Sequence, residues 1–187
     1  GGRVCYIPFF SLTYPLMVYE YILFSGDTGI ISEVYQPVKN IINTFTGFIS
    51  DDKNLIPHLP YPFWNFYEWS EGNDNFFEEN VANVTDVQKR NERKGYDLAL
   101  NVMYLIALDC AKYIEEKGNI KGVDYSRQDD VKKEIIKTFF DKTRKIFYST
   151  TLDNKRNVSI LANSIAVLCG IEEFVDPSEI MKAVLED

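Results

Sequence analysis

Two patterns of apolar residues alternate along the chain. Between Phe10 and Phe24, Leu12, Tyr14, Leu16, Met17, Val18, Tyr19, Tyr21, Ile22 and Leu23 cover every face. A helix that is apolar all round is expected to be buried all round. From about Gly29 to Ile49 the pattern changes. Ile30, Ile31, Val34, Val38, Ile41, Ile42, Phe45 and Phe48 form one stripe at helical spacing, with Glu33, Lys39, Asn40 and Asn43 off it. That spacing predicts a helix with one buried and one wet face. The alternation then repeats. Gly95 to Lys117 is apolar on all sides from Leu98 to Ala111, with Asn101 and Asp109 as exceptions. Ser126 to Tyr148 is amphipathic, Val158 to Cys169 is again apolar all round, and a short amphipathic helix opens at Asp176 and Pro177. Gly26, Gly118 and Gly170 suit the left-handed conformation that closes a helix, and Ser126 and Asp176 suit the caps that open one.

No stretch reads as a strand of comparable strength. The pattern predicts an all-α fold of antiparallel helical hairpins in two concentric layers, with the first, third and fifth helices inside. Three inner helices make about half of a six-hairpin, (α/α)6 toroid. The chain reads as a single helical domain spanning 1–187. Successive loops in such a stack alternate between its ends. Segments 1–9, 50–94 and 149–157 therefore share the end where the inner helices begin and where the positive ends of their dipoles point.

The connection 50–94 is far longer than a compact domain needs, and connections of that length usually carry function or are disordered. Its first half is dense in aromatics. Residues 57–74 hold both tryptophans, Trp64 and Trp69, and the only histidine, His58. Pro57, Pro60 and Pro62 forbid a regular helix across the first part. Flat aromatic faces beside the carboxylates Glu68, Glu71 and Asp74 suit a sugar, whose ring stacks on the apolar face while its hydroxyls meet the acids. The alternative is that Trp64 and Trp69 plug the end of a helical core.

Composition narrows the chemistry. The chain of 187 residues carries a net charge of −8, which leaves no electrostatic footprint for nucleic acid. Cys5, Cys110 and Cys169 are too few and too scattered for a disulfide framework or a zinc site. A single histidine excludes multi-histidine metal sites and argues against a Ser-His-Asp triad. Asp74, Glu78 and Glu79 do not have the spacing of a calcium loop. The reading therefore includes no metal and no cofactor. Residues 4–24 are nearly all apolar, but Pro8, Pro15, Glu20 and the lack of flanking basic residues predict a buried helix, not a membrane span. The start, Gly1-Gly2 followed by a core-like run with no signal-peptide pattern, reads as a fragment cut from something longer.

Several motifs then fall in a familiar order. Tyr19-Glu20-Tyr21 through Ser25-Gly26-Asp27, followed by Val34-Tyr35-Gln36-Pro37-Val38-Lys39, resembles the tyrosine-rich, Gly-Asp-terminated hairpin of alpha-L-rhamnosidases. Glu68-Trp69 stands where that family commonly has Asp-Trp. Ala99-Leu100-Asn101-Val102-Met103-Tyr104 is similar to its Ala-Leu-Asn-Ala-Leu-Tyr helix, and Ser159 to Gly170 to its Ser-rich helix ending in Gly-Leu. The resemblance covers most of residues 8 to 172. It implies a piece of an (α/α)6 catalytic barrel that hydrolyses terminal alpha-L-rhamnosides with inversion. It further implies Trp69 as a stacking face and Glu68 as a hydroxyl acceptor, with Trp64 added by proximity. The family's acid lies before the first of these helices and its base after the last, so no catalytic residue is carried over to this chain.

Two other readings stay open. One is a non-catalytic helical-hairpin scaffold or carbohydrate-binding domain. The other is a different six-hairpin glycosidase or a polysaccharide lyase, for which His58 and Tyr61 are the cleft groups to watch. The expected partners are a carbohydrate substrate and, for the exposed flanks of a half toroid, the remaining half of the barrel or a second copy of the chain. Neither nucleic acid nor a membrane is among them.

Overall fold

Leu98–Gly118 buries more residues than any other described helix, and four of the other helices pack around it. The structure is a computed structural model that describes residues 6–60, 62–69, 95–152, 157–170 and 176–186. In chain order the elements are α1 (Pro8–Ser25), α2 (Ile31–Thr46), α3 (Leu98–Gly118), α4 (Gln128–Phe139), β1 (Phe140–Asp141), β2 (Ile146–Phe147), α5 (Ile160–Leu168) and α6 (Pro177–Glu186). Helix α3 contacts α1, α2, α4 and α5, and its buried residues run round the whole helix. The third helix is thus enclosed as its pattern predicts. The alternation of inner and outer helices also holds for α2 and α4, which bury one stripe each: Ile31, Val38, Ile42 and Phe45 in α2, and Val131, Ile135 and Phe139 in α4.

Helices α1 and α5 depart from the expected burial. Leu12, Val18 and Ile22 of α1 are buried, but Phe10, Met17, Leu23 and Phe24 are exposed, Phe24 by 85%. In α5, Ala162, Ile165 and Ala166 are buried while Ile160, Leu161 and Leu168 are exposed. These two helices flank α3, and each leaves one apolar face without a described neighbour. No helix among the described residues is long and apolar enough to cross a membrane.

The fourth helix also ends earlier than its pattern predicts. It stops at Phe139, and the polar run that follows makes a tight turn. Asp141 accepts bonds through Oδ1 from the Thr143 and Arg144 amides, Lys145 takes a left-handed φ of 57°, and β1 pairs with β2. Ser126 does not cap α4. Instead its amide donates to Asp124 Oδ1, and the helix begins two residues on. Gly26 closes α1 at φ 70° as expected, whereas Asn119, one residue past Gly118, closes α3 at φ 48°.

The far end of α3 is tied down by a buried carboxylate, Glu115. Its Oε1 accepts from the Tyr35 hydroxyl and the Val123 amide, and its Oε2 accepts from the Tyr125 hydroxyl at 2.9 Å. Burial raises the carboxyl pKa, but the bonds from Tyr35, Val123, Tyr125 and Gly122 outweigh it and hold the group below its ordinary 4.5. A carboxylate whose folded pKa is lowered stabilises the fold above its unfolded pKa, and that stabilisation is lost as pH falls through the folded value. The difference in unfolding free energy between the wild type and Glu115→Gln is therefore expected to be about 2 kcal/mol near neutrality and to shrink below about pH 4.5. Chemical denaturation at a series of pH values measures it, and a difference that stays constant into acid rules out the carboxylate's role.

Candidate functional site

The N-termini of α1, α3 and α5 are held together by a chain of extended segments. Tyr6 pairs with Phe63, Pro57 with Tyr96, Asp97 with Thr150, and Tyr148 with Val158. The loops before the three inner helices therefore meet at one end, the end the alternation predicts.

Asparagine carboxamides make this arrangement rigid. A carboxamide has the same donor and acceptor pair as a peptide group and can pair with a backbone as a strand does. Asn101, one turn into α3, accepts from the Ile56 amide at 2.7 Å and donates to the carbonyls of Ile56 and Asp97. Asn163, one turn into α5, does the same with Phe147 and Ser159. Both are fully buried. Within the aromatic loop, Asn65 accepts from the Leu59 amide and donates to the Leu59 carbonyl.

On this frame sits an aromatic ledge. The ring centroids of Trp64 and Phe66 are 4.7 Å apart, those of Phe66 and Trp69 4.8 Å, and those of Trp64 and Trp69 6.1 Å. Phe10 of α1 meets Phe66 edge-on. Trp69 is 69% exposed. Trp64 is half-buried beneath it, and Glu68 is half-buried between Tyr67 and Trp69 in the chain. The structure thus brings Trp64 and Trp69 together at the N-terminal end of the inner helices, with Glu68 beside them in sequence. Tyr61, Glu71, Asp74, Glu78 and Glu79 lie outside the described residues. Among the described residues no three His, Cys, Asp or Glu side chains gather as a metal ion requires.

Beneath the ledge is a polar cluster that sequence reasoning missed. Asp97, the N-cap residue of α3, is 1% exposed, and its Oδ2 lies 2.5 Å from His58 Nε2. Both side chains are nearly closed off from solvent. The other oxygen, Oδ1, is buried with no hydrogen-bond donor among the described residues. Tyr67 borders the same small cavity as Asp97, a space of about 10 Å³, at the lower limit of what one water needs. Burial pushes the Tyr67 hydroxyl pKa well up, and the charges of Asp97 and Glu68 push it further. His58 is thus buried against Asp97 and does not stand open in a cleft. The apolar pattern starts the third helix at Gly95 and so hides Asp97, which is extended and outside it. The only signal available was the buried-helix pattern beginning immediately after an aspartate.

No family model matches this chain, and no curated protein matches it. Among solved structures it is similar to a GH78 family rhamnosidase of Bacillus sp. GL1, with a TM-score of 0.75 at 16% sequence identity. The likeness covers 98% of this chain and 18% of the rhamnosidase, so the chain spans less than a fifth of that protein's length. At this identity the likeness is one of fold: a mainly helical chain superposing on part of a rhamnosidase, consistent with a partial (α/α)6 barrel.

Proposed function

We propose that the chain is part of the catalytic barrel of a glycoside hydrolase acting on terminal alpha-L-rhamnosides by inverting hydrolysis, and that it contributes one wall of the sugar pocket. Trp69 is the stacking face, Trp64 backs it, and Glu68 accepts from sugar hydroxyls. One observation carries the reading: an exposed tryptophan, supported from below by Phe66 and Trp64, stands at the N-terminal end of the inner helices. The motif resemblance and the shared fold support it. The acid and base that inversion requires come from elsewhere in the parent protein, and its remaining helices cover the apolar faces of α1 and α5. A second reading, a carbohydrate-binding domain without catalysis, is favoured by the same ledge and by the burial of Asp97 away from any substrate.

Sugar stacking on one aromatic wall is weak. L-rhamnose is expected to bind the isolated chain at millimolar concentration or weaker, on the order of −4 kcal/mol at best. Both tryptophans of the chain lie in the ledge, so titration followed by tryptophan fluorescence reads the site directly. The response is expected to disappear in Trp69→Ala. A response of undiminished size in that variant removes Trp69 from the site.

A further inference from the structure

The chain's lone histidine, His58, and its neighbour Asp97 have no part in the pocket wall, yet among the described residues they are a closely enclosed ionisable pair at that end of the molecule. Their position in the chain gives them a task. His58 lies before the ledge and Tyr67 lies within its far end, and the Trp64–Phe66 stack falls between them. Both residues converge on the head of α3: His58 contacts Asp97 at 2.5 Å, while Tyr67 borders the cavity that Asp97 lines and its hydroxyl meets the Ser149 side chain. Asp97 in turn is fixed at the head of α3, the most enclosed helix. Its carbonyl accepts from Asn101 Nδ2, and the following amide, Leu98 N, donates to the Ser149 carbonyl at 2.9 Å. The His58 amide adds a bond to the Gly95 carbonyl at 2.8 Å. The loop is therefore held near both ends of its aromatic segment at the head of the central helix, by His58 on Asp97 and by Tyr67 on Ser149, the residue whose carbonyl binds the Leu98 amide.

We propose that Asp97, through His58, is a positioning residue that staples the aromatic loop to the N-terminus of α3 and so sets the orientation of Trp64 and Trp69. The pair does no chemistry on a substrate, because both side chains are closed off from solvent under the ledge. Its effect is on pre-organisation. A proline-rich loop with no regular hydrogen-bond ladder of its own would otherwise sample many arrangements of its rings, and ordering them on binding would weaken the site. Burying a carboxyl group is costly unless it is paired, and Asp97 is paired through Oδ2 with His58. Here the group meets the imidazole from one end of the loop and lines a cavity shared with Tyr67 at the other. The role as a pocket-ordering device rests on the sugar reading above; the staple itself does not.

The two tryptophans, 6.1 Å apart and inclined at 69°, form a coupled pair whose near-ultraviolet circular dichroism depends on their mutual orientation. That band reports the ledge alone, since no other tryptophan exists in the chain. In the 187-residue chain, His58→Gln and Asp97→Asn are each expected to lose the coupled band and to make Trp64 accessible to acrylamide quenching, with far-ultraviolet helicity unchanged. The double variant is expected to go no further than Asp97→Asn alone, because both substitutions open the same contact. Glu115→Gln, at the opposite end of α3, serves as the structural control: it lowers the melting temperature and leaves the band intact. If His58→Gln keeps the wild-type band and quenching while merely melting earlier, the staple is overturned. If Asp97→Asn does not fold, His58→Gln decides alone. If the band behaves as expected but the wild type gives no fluorescence response to rhamnose, the staple stands and the sugar reading fails.

Discussion

Asn101→Leu is expected to lower the unfolding free energy by about 4 kcal/mol, and Asn163→Leu by a similar amount. Leucine keeps the branched skeleton, but its methyl groups are bulkier than the carboxamide, so some overpacking adds to the loss. The main change is in the accounting of polar groups. Removing the Asn101 carboxamide leaves the Ile56 amide and carbonyl without their partner at a position fully closed to water. Each buried group left unsatisfied costs about 1–3 kcal/mol. The same two losses fall on Phe147 when Asn163 is replaced. For a domain whose whole stability is of the order of 5–15 kcal/mol, either change removes a large share, and the two together are expected to prevent folding. Urea denaturation checks this through the shift in midpoint at unchanged slope. Asn40, an exposed asparagine of α2 whose side chain accepts from Gln36 within its own helix, provides the comparison, with Asn40→Leu expected to stay within about 0.5 kcal/mol of wild type. If Asn101→Leu costs no more than Asn40→Leu, the carboxamides are ornamental.

The same asparagines mark how far the sequence can be read. Asn101 is visible in the chain as a polar residue in a helix otherwise apolar on all sides, but its partner Ile56 is 45 residues away, and no periodicity connects them. The pattern identifies α3 correctly because an all-apolar helix that is also long and central finds neighbours on every side. It overstates the burial of α1 and α5 because hydrophobicity records what a face needs, not whether a described neighbour covers it. It runs α4 into the β1–β2 turn because Asp141, Lys142, Thr143, Arg144 and Lys145 look the same as the wet face of a helix. The left-handed Lys145 that ends the helical path has no reliable signature. The aromatic density of 57–69 is plain from composition, and the exposure of Trp69 is not, since the prolines remove any period from which a facing could be inferred. The cluster of Glu115 with Tyr35 and Tyr125, and that of His58 with Asp97, join residues 10 to 80 positions apart. Such pairings appear only once the hairpins have stacked.

Assayed alone on an aryl alpha-L-rhamnoside, this chain is expected to show turnover close to the uncatalysed background. The argument is one of missing groups. Inverting hydrolysis places an acid and a base about 6.5–9.5 Å apart on opposite sides of one bond. General acid–base groups each contribute about 10²–10⁴-fold, so a site that lacks both loses roughly 10⁴–10⁸-fold. At the ledge the described carboxylates are Glu68 and Asp97. Asp97 is enclosed beneath the rings in contact with His58, where no glycosidic oxygen reaches it. Glu68 has no opposing carboxylate among the described residues of that end. On the proposed reading the ledge contributes to binding, and through binding to rate, inside a protein that brings the acid and base to it. In such a parent protein, Trp69→Ala is expected to lower kcat/KM on the rhamnoside by about 10–100-fold, an aromatic wall worth about 1–3 kcal/mol in the transition state. Robust turnover by the isolated chain shows that it contains an acid–base pair of its own. Unchanged kcat/KM in the parent Trp69→Ala variant shows that the exposed ring faces something other than the sugar.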